Sequence, residues 1–377
     1  MALSPEFLDE IRARTSLSAL ISQTLPLKKV GREQEACCPF HNEKTPSFRV
    51  NDDKGFYHCF GCGVHGDAIR WLTDKQGLPF MDAVRTLADA AGLEMPARSP
   101  EESARQARAT DLYEVLAKAQ RHFAQALEGA GAVREYLAAR GVGDDLIARF
   151  GLGYAHVPYG RSYDGELAGL ARQDMIDAGL VHMVEGKPMP QPWFYNRLMI
   201  PIKDARSRVI GFAGRVLDDS KPKYVNSPAG PLFDKSRILF NLDRAAPAAR
   251  QKNRMIIVEG QVDTVVMDGG GFPETVAPMG TAITEHHLQR AWRVHHRPIV
   301  LMDGDEAGLK ALTRVCKVAL PMVGWGRELL LAQCPWGEDP DSMLRNFGAD
   351  TLEIILAGAQ PLDAYLFEAV VREAKAA

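Results

Sequence analysis

Acidic side chains directly follow short apolar segments in the second half of the chain. The segment Ile299–Met302 precedes Asp303 and Asp305, and an Asp-Gly turn keeps these two residues close together. Two carboxylates so close repel each other unless a cation lies between them, and oxygen ligands favour Mg²⁺ or Mn²⁺. A solvated acidic turn is the alternative. An EF-hand is excluded because its twelfth position would be Arg314 instead of a glutamate.

Two more apolar segments end in acid. Residues 255–258 precede Glu259, with Asp263 one turn into the helix that should follow, and residues 329–331 lead to the Gly-Glu-Asp-Pro-Asp sequence at 337–341. Strands that alternate with helix-length segments predict a parallel sheet, whose carboxyl ends lie at one edge. That edge should gather acids that hold one to three divalent ions for phosphoryl transfer, namely Glu259, Asp303, Asp305, Asp339 and Asp341, with Asp263 beside them.

Four of the six cysteines lie between positions 37 and 62, which indicates metal chemistry in a reducing compartment instead of a disulfide framework. A Cys-x2-His pair is followed by a Cys-x2-Cys pair, and two such turns predict one closed tetrahedral zinc site of the ribbon kind. The predicted ligands are Cys38, His41, Cys59 and Cys62. A module this small has little apolar core, so the metal should supply much of its folding energy.

Neighbouring residues are weaker candidates for this site. Cys37 lacks the two-residue spacing to His41 and is assigned to packing. His58 should point to the opposite face of its strand from Cys59, and His65 comes one turn too late, so both are substitute ligands. Aromatic and basic residues between the two ligand pairs suit single-stranded nucleic acid, and the aromatic ones equally suit the core of the module.

Length and charge bound the class of protein. A chain of 377 residues should hold two or three domains, and its formal net charge of −3 does not indicate a nucleic-acid binder. No apolar run approaches a membrane span and the N-terminus is acidic, so we expect a cytoplasmic protein without membrane contact. Residues 197–244, however, carry ten Lys or Arg against five Asp. Such an excess of basic residues usually marks a solvated surface. Binding of a triphosphate or of a nucleic-acid template backbone would also require positive charge of this kind.

These motifs resemble those of a known family. The sequence at 258–263, Gly280-Thr281, and the stretches 303–308 and 337–341 are similar to the TOPRIM domain of primases, topoisomerases and some nucleases. The stretches 37–48 and 56–63 resemble the zinc domain of bacterial replicative primases of the DnaG type. The stretches 197–202, 211–215 and 222–228 resemble the RNA polymerase core of those enzymes.

The resemblance implies a multidomain α+β and α/β protein. The implied parts are a zinc ribbon, a mixed α+β basic subdomain, a TOPRIM domain with a Rossmann-like parallel sheet, and a short C-terminal helical segment. A polar, proline-flanked stretch supports a boundary near residue 96. The predicted boundaries are 1–96 for the zinc-ribbon domain, 97–110 for a linker, 111–253 for the basic subdomain, 254–338 for the TOPRIM subdomain, and 339–377 for the last acidic motif and C-terminal helices.

The same resemblance implies a DNA primase, a nucleotidyltransferase that would synthesise short RNA primers from ribonucleoside triphosphates on single-stranded DNA. It would bind an RNA–DNA primer duplex and act at the bacterial replication fork. The basic residues that would contact nucleotide or template are Arg215, Lys223, Lys235, Arg149 and Arg197. Family members are longer and end in a domain that binds the replicative helicase, and this sequence is expected to lack that domain.

Some residues differ from the pattern of the family, and two alternative functions compete with the primase interpretation. Gln261-Val262 stands where the family commonly has Tyr-Met, and Met279 where it has Leu, so the efficiency of the site is in question. Another TOPRIM activity is the enzymatic rival, although few residues follow the acidic site to build the clamp of a topoisomerase. A non-catalytic module that binds single-stranded DNA is the rival from another class, and the retention of all five acids argues against it.

Overall fold

The computed structural model describes residues 3–41, 43–96, 100–157, 162–218, 220–280, 282–324 and 326–368. Thr281 of the predicted motif, the start of the predicted linker and the last nine residues lie outside this set. The chain divides into two compact units, an N-terminal unit of Met1–Arg105 and a C-terminal unit of Gln106–Ala377. Within the described part of the chain, no helix is long and apolar enough to cross a membrane.

The N-terminal unit is a five-stranded antiparallel sheet with four helices. Its elements are α1 (Pro5–Arg14), α2 (Leu17–Ser22), β1 (Lys28–Val30), β2 (Glu33–Ala36), β3 (Phe48–Asn51), β4 (Phe56–Cys59), β5 (His65–Gly66), α3 (Ala68–Asp74) and α4 (Phe80–Ala90). Each strand pairs with the next in sequence. Phe48 and Tyr57 pack their rings 5.2 Å apart, and Trp71 lies edge-on to Tyr57, so aromatic rings form much of this core.

The predicted linker over 97–110 is largely helical in the structure. A single helix, α5 (Pro100–Glu128), covers it from residue 100 onward. Proline at the first helical position and the strong helix formers Glu, Ala, Arg and Gln explain why this polar stretch continues as a helix. The division between the two units falls within this helix.

The first part of the C-terminal unit surrounds a four-stranded antiparallel sheet of order β11-β10-β9-β6. Its remaining elements are α6 (Gly131–Ala138), α7 (Asp144–Phe150), β6 (Gly153–Ala155), α8 (Gly165–Ala168), α9 (Arg172–Asp177), β7 (Val181–His182), β8 (Gln191–Pro192), β9 (Arg197–Lys203), β10 (Val209–Arg215) and β11 (Tyr224–Asn226). Strands β9 and β10 run through the basic stretch, and both are almost wholly buried.

The second part is built on a six-stranded sheet of order β12-β14-β13-β15-β16-β17. The elements are β12 (Leu239–Phe240), α10 (Leu242–Lys252), β13 (Ile256–Ile257), α11 (Gln261–Gly269), β14 (Thr275–Pro278), α12 (Glu285–Val294), β15 (Ile299–Met302), α13 (Glu306–Ala319), β16 (Leu330–Gln333), α14 (Pro340–Ala357) and β17 (Gln360–Pro361). The four central strands are parallel, as predicted, and the two edge strands are antiparallel.

Both faces of this sheet are covered. Ile299 and Leu301 belong to one apolar cluster, whereas Val300 and Met302 belong to the cluster on the opposite face. Alternate residues of a strand point to opposite faces, so four consecutive apolar residues are what a doubly covered parallel strand requires. This explains why the acid-terminated segments read as continuous apolar runs.

Arg254 ties helix α14 to the sheet. Its Nε and Nη2 donate to Oε1 of Glu274 at 2.9 and 2.6 Å, and its Nη2 also donates to Oε1 of Glu353 in α14 at 2.9 Å. The Glu274 side chain is fully buried, with Lys252 as its other partner at 3.1 Å. A buried carboxylate needs such partners, so this contact fixes the helix whose N-terminus carries the last acidic motif.

We expect Arg254→Ala to lower the free energy of unfolding by about 3 kcal/mol, because Glu274 would keep its charge in the interior with Lys252 alone. Urea denaturation of the full chain measures the effect. Arg293→Ala, which removes an exposed arginine of α12, is the matched control and should change stability by no more than about 0.5 kcal/mol. Equal losses in the two variants would show that the Arg254 contact is not a clamp.

Candidate active site and metal centre

The predicted acids lie at strand ends and helix starts of the six-stranded sheet. Asp303 follows β15 directly, and Asp305 caps α13 by accepting a hydrogen bond from the Gly308 N–H at 2.7 Å. Asp339 caps α14 in the same way, with the Ser342 N–H at 2.6 Å from its Oδ1. The positive ends of the two helix dipoles therefore face this acidic edge and favour negative charge there.

The loops after β15 and β16 are bonded to each other through their backbones. The Gly304 N–H donates to the Glu338 carbonyl at 2.8 Å, and the Gly337 N–H donates to the Gly304 carbonyl at 2.7 Å. A Cβ atom on Gly304 would lie 1.8 Å from the Pro335 carbonyl oxygen. Only glycine allows this approach, so Gly304 holds Asp303 and Asp339 at a fixed separation.

Burial and mutual repulsion raise the pKa values of the central acids. Burial is the largest cause of the rise for Asp303, followed by Asp263 and Glu259, and its pKa reaches about 7. Burial and then Asp339 raise the pKa of Asp263 to about 7 as well. The pKa of Glu259 is also raised, by burial and then by Asp305. These shifts show that the structure brings the predicted acids within electrostatic reach of one another.

The oxygen atoms at the centre of the cluster suit a divalent cation. Oε1 of Glu259 and Oδ1 of Asp303 are buried and have no hydrogen-bond partner. The acids do not form a preformed cage: the one group of His, Cys, Asp and Glu among the described residues whose ligand atoms all lie within 4.8 Å is the cysteine–histidine cluster of the other unit. Mg²⁺ usually keeps several waters and binds through one or two carboxylates, which fits this open arrangement.

Asp341 has a different environment from the other acids. Its side chain is 6% exposed, with Arg140 Nε at 3.2 Å from Oδ2 and Arg345 Nε at 2.6 Å from Oδ1. Both carboxylate oxygens are therefore engaged by arginines. The sequence places Arg345 one helical turn after Asp341, whereas nothing in the sequence indicates Arg140 as a partner. The predicted role of Asp341 as a metal ligand stays a prediction.

Arg215 is the predicted basic residue that lies nearest the acids. Its guanidinium sits over the rings of Tyr136 and Tyr224, at 5.3 and 5.2 Å from their centroids, and Nη1 donates to the Tyr224 hydroxyl at 2.6 Å. Its positive charge acts against the rise in the pKa of Asp263. Lys223 and Lys235, the other predicted contacts of this stretch, are exposed.

Arg197 and Arg149 are used by the fold itself. Arg197 is 8% exposed and donates through its two terminal nitrogens to the Pro222 carbonyl, both at 3.0 Å. Arg149 Nη1 lies 2.7 Å from Oδ1 of Asp268, whose side chain is fully buried in α11. Strand and helix patterns in the sequence give no sign of either contact. The described contacts of both arginines are with other parts of the fold and not with the acidic cluster. Their roles in binding nucleotide or template stay predictions.

The residues that depart from the family lie beside the acids and serve packing. The Gln261 side chain is buried at the start of α11, and its Nε2 donates to the Pro278 carbonyl at 2.9 Å. Nδ2 of Asn226 donates to the next carbonyl, that of Met279, at 2.8 Å. These bonds fix the end of β14 against α11 and β11.

The predicted zinc ligands converge in the N-terminal unit. Sγ of Cys38 is 3.7 Å from Sγ of Cys62, and Sγ of Cys59 is 3.7 Å from Nδ1 of His41. Sulfurs on a tetrahedral zinc with bonds of about 2.3 Å would lie roughly 3.8 Å apart, so these separations fit that ion. Backbone N–H groups of Gly61 and Cys62 point at the Cys59 sulfur, at 3.3 and 3.4 Å.

Glu43 organises this group, and sequence reasoning did not identify it. One carboxylate oxygen lies 3.2 Å from Nε2 of His41, the other accepts from the Cys38 N–H at 2.6 Å, and the Ser47 hydroxyl donates to the first at 2.6 Å. A carboxylate on the outer ring nitrogen orients a ligating histidine and selects its tautomer. The available signal was an acidic residue two positions after a predicted histidine ligand.

Comparison with known families matches most of the chain in three segments. Residues 3–103 match the CHC2 zinc finger, residues 122–246 match the N-terminal domain of the DNA primase catalytic core, and residues 253–324 match the Toprim domain. The predicted fold class, a zinc ribbon followed by a mixed core with a parallel TOPRIM sheet, is confirmed by these matches.

Individual relatives agree. The DNA primase of Escherichia coli K12 is 41% identical over 376 residues that cover 97% of this chain, and the chain spans 64% of that protein's length. The DNA primase of Pseudomonas putida is 40% identical, and the chain spans 57% of it. Among solved structures, the zinc-binding and RNA polymerase domains of the Aquifex aeolicus primase give a TM-score of 0.63 at 29% identity, covering 99% of this chain and 90% of that one. A DnaG primase catalytic domain bound to ssDNA gives 0.65 at 35% identity, covering 71% and 84%.

We expect His41→Ala to weaken zinc binding by about 100-fold or more, because changes in residues around the ligands alone cost 10- to 100-fold. His65→Ala is the matched control, since His65 bonds the Gly63 carbonyl at 3.0 Å and lies outside the ligand group. Zinc content per chain and competition with a chromophoric chelator measure both variants. Zinc loss in His65→Ala with retention in His41→Ala would contradict the assignment.

The raised acid pKa values predict that Asp303→Asn stabilises the chain in Mg²⁺-free buffer at pH 8. A carboxyl whose pKa rises from 3.8 to about 7 on folding favours the protonated folded state, so folding stability falls as pH rises through that interval. The variant should gain about 1–2 kcal/mol at pH 8, since solvent screening reduces the effect, and little at pH 4. Urea unfolding at the two pH values measures it.

Glu328→Gln removes an exposed carboxylate and is the control, expected to stay within about 0.5 kcal/mol of the parent at both pH values. A destabilised Asp303→Asn variant at pH 8 would mean that the carboxylate is satisfied in the folded chain.

Proposed function

The chain belongs to the DnaG family of bacterial DNA primases, and from that membership we propose that it synthesises short RNA primers from ribonucleoside triphosphates on a single-stranded DNA template. The proposal covers the activity, the substrates and the partners, because the chain spans 64% of the length of its E. coli relative. It would act in the cytoplasm at the replication fork, with an RNA–DNA duplex as product and the replicative helicase as the partner suggested by the family.

One observation carries the proposal. Two acids at the carboxyl ends of neighbouring parallel strands, Glu259 and Asp303, each keep a buried oxygen without a partner. Burying such oxygens is unfavourable, and a bound divalent cation would relieve it. We therefore assign Glu259 and Asp303 as the central ligands of Mg²⁺ or Mn²⁺, with Asp305 and Asp339 at the sides.

When bound, the ion would polarise the α-phosphate and stabilise the charge that develops as pyrophosphate leaves. The residues of the chain supply position and charge. Asp305 and Asp339 each use one oxygen to cap a helix, which fixes their rotamers and leaves the second oxygen for the site. Arg215, stacked between two tyrosine rings beside the acids, would hold an oxygen of the triphosphate, and the exposed Lys223 and Lys235 would contact nucleic-acid backbone.

The zinc ribbon would engage the template. We propose one structural Zn²⁺ held by Cys38, His41, Cys59 and Cys62, whose role is to fix the turn between β4 and β5. Phe60 in that turn is 72% exposed, with the ring of His58 at 4.6 Å. Exposed rings of this kind stack on unpaired bases. The solved structure of a related DnaG catalytic domain bound to ssDNA supports a template of that class.

We expect the intact chain to incorporate labelled ribonucleotides into short RNA on single-stranded DNA with Mg²⁺. Asp303→Ala should lose about 100-fold or more of that activity, because loss of the contact with the ion removes several kcal/mol of transition-state stabilisation. Cys59→Ser should lose activity through the template-binding unit. Product length on denaturing gels is the measurement.

Glu328→Ala, a surface acid paired with Arg297 at 3.0 Å, should keep full activity. Full activity in Asp303→Ala would contradict the assignment of the acidic cluster as the active site. Cleavage of DNA by the intact chain, without ribonucleotide incorporation, would instead identify a TOPRIM nuclease.

A further inference from the structure

Trp336 lies in the loop between β16 and α14, and no large apolar side chain of the described residues is more exposed. Its exposed fraction is 74%. Among the described residues its ring contacts no other aromatic ring or cation, and its indole N–H has no acceptor. A single exposed apolar side chain is common on protein surfaces, so its exposure carries no weight alone, and what matters is the loop on which this tryptophan lies.

The backbone on both sides of Trp336 is fixed to the acidic loop. The Cys334 N–H donates to the Met302 carbonyl at 2.9 Å, and the Gly337 N–H donates to the Gly304 carbonyl at 2.7 Å. The Glu338 N–H closes a turn onto the Pro335 carbonyl at 3.0 Å. The backbone that carries the indole is therefore held against the acidic loop, one residue before the Gly337–Gly304 bond.

Other aromatic rings around the acids are already covered. The face of Tyr136 carries Arg140 at 4.0 Å and Arg215 at 5.3 Å from its centroid, and Tyr224 carries Arg215 at 5.2 Å. Acids and arginines can hold metal and phosphate, but neither offers a flat apolar surface to a base. In the described part of the chain, Trp336 lies in a loop that is bonded to the acidic loop, and its ring has no aromatic or cationic partner.

We propose that Trp336 is a stacking platform for a nucleobase of the substrate that the acidic cluster acts on. The proposal rests on the proposed function, because a base reaches this loop only if the acids handle a nucleotide or a strand. The indole would position the base while Glu259 and Asp303 hold the ion near the reacting phosphate. Trp336 is thus a positioning residue whose contact is tolerant of sequence, since every base has a π face.

The surroundings of Trp336 favour a base over a protein partner. A hot-spot tryptophan of a protein interface is surrounded by other apolar contact residues that exclude water. The neighbours of Trp336 in its loop are Pro335, Gly337 and Glu338, and the helix beyond begins with two acids. A single ring among acids and glycine matches the recognition of a base whose phosphates are held by metal.

Intrinsic tryptophan fluorescence of the full chain tests the proposal directly. Of the five tryptophans, Trp71 and Trp292 are buried, Trp193 is half-buried and Trp325 lies outside the described residues. The quench that stacking at Trp336 should cause is therefore the difference between the parent and Trp336→Phe. The probes are a ribonucleoside triphosphate with Mg²⁺ and, separately, a single-stranded DNA oligonucleotide. Quenching by the first probe assigns the incoming nucleotide, and quenching by the second assigns the strand. In Trp336→Phe, which keeps a ring, the quench should vanish while binding is largely kept.

Trp336→Ala should weaken binding of the quenching probe about 5- to 150-fold, which is the range for loss of one base–aromatic stack. Phe347→Ala, which removes another exposed ring of the same helix region, is the matched control and should bind normally. Unchanged quenching in Trp336→Phe, or unchanged affinity in Trp336→Ala, would overturn the proposal. Loss of self-association or of protein capture in Trp336→Ala, with base binding intact, would likewise overturn it in favour of a protein contact.

Failure of this proposal is distinguishable from failure of the proposed function. If the variants bind and quench like the parent while the parent synthesises primers, the stacking role is wrong and the polymerase assignment stands. If the parent binds and quenches through Trp336 but incorporates no ribonucleotide, the base site is real and the polymerase assignment is wrong.

Discussion

Repulsion between carboxylates at one edge of a parallel sheet is the interaction on which the C-terminal unit depends. Strands β13 and β15 run parallel, so Glu259 and Asp303 reach the same edge, and burial adds to their repulsion. The neighbouring parts counteract it: two helix N-termini face the cluster, arginines pair with Asp341, and Gly304 bonds the two loops together. Glu259 and Asp303 each keep a buried oxygen that has no hydrogen-bond partner, which is where a cation would be most favourable.

The sequence predicts the parts of this site that depend on local spacing. Apolar runs that end in acid predicted the parallel sheet, and the Cys-x2-His and Cys-x2-Cys pairs predicted the cluster of Cys38, His41, Cys59 and Cys62. Both patterns depend only on the types and spacing of residues that are close in sequence. Contacts between distant residues were not predictable. Arg140 reaches Asp341 across some two hundred positions of sequence, and the burial of Arg197 depends on a loop whose path no periodicity reveals. The helical conformation of the predicted linker from residue 100 onward was not indicated for another reason, since polar composition is compatible with both a loop and a solvated helix. The linker boundaries stay a prediction.

The two units solve opposite problems with carboxylates. In the N-terminal unit, Glu43 is the central acceptor for the Cys38 N–H, the Ser47 hydroxyl and the His41 ring, so its charge is fully used to shape a metal site. In the acidic cluster, by contrast, two carboxylate oxygens stay buried without a hydrogen-bond partner, and these oxygens would provide the affinity for an ion. A structural zinc site is closed by its ligands, whereas the proposed ion at the acidic cluster would keep positions for water and substrate.

The helix-capping hydrogen bonds of Asp305 and Asp339 affect how an inactive homologue of this chain could be recognised from its sequence. A helix start needs an acceptor oxygen whether or not chemistry takes place, so a lineage that lost polymerisation would still be selected to keep these two aspartates. Their presence in a gene is therefore poor evidence of activity. Glu259 and Asp303 cap no helix and each keeps a buried oxygen without a partner, so drift would be expected to replace them first, and a pseudoenzyme would be recognised by their loss.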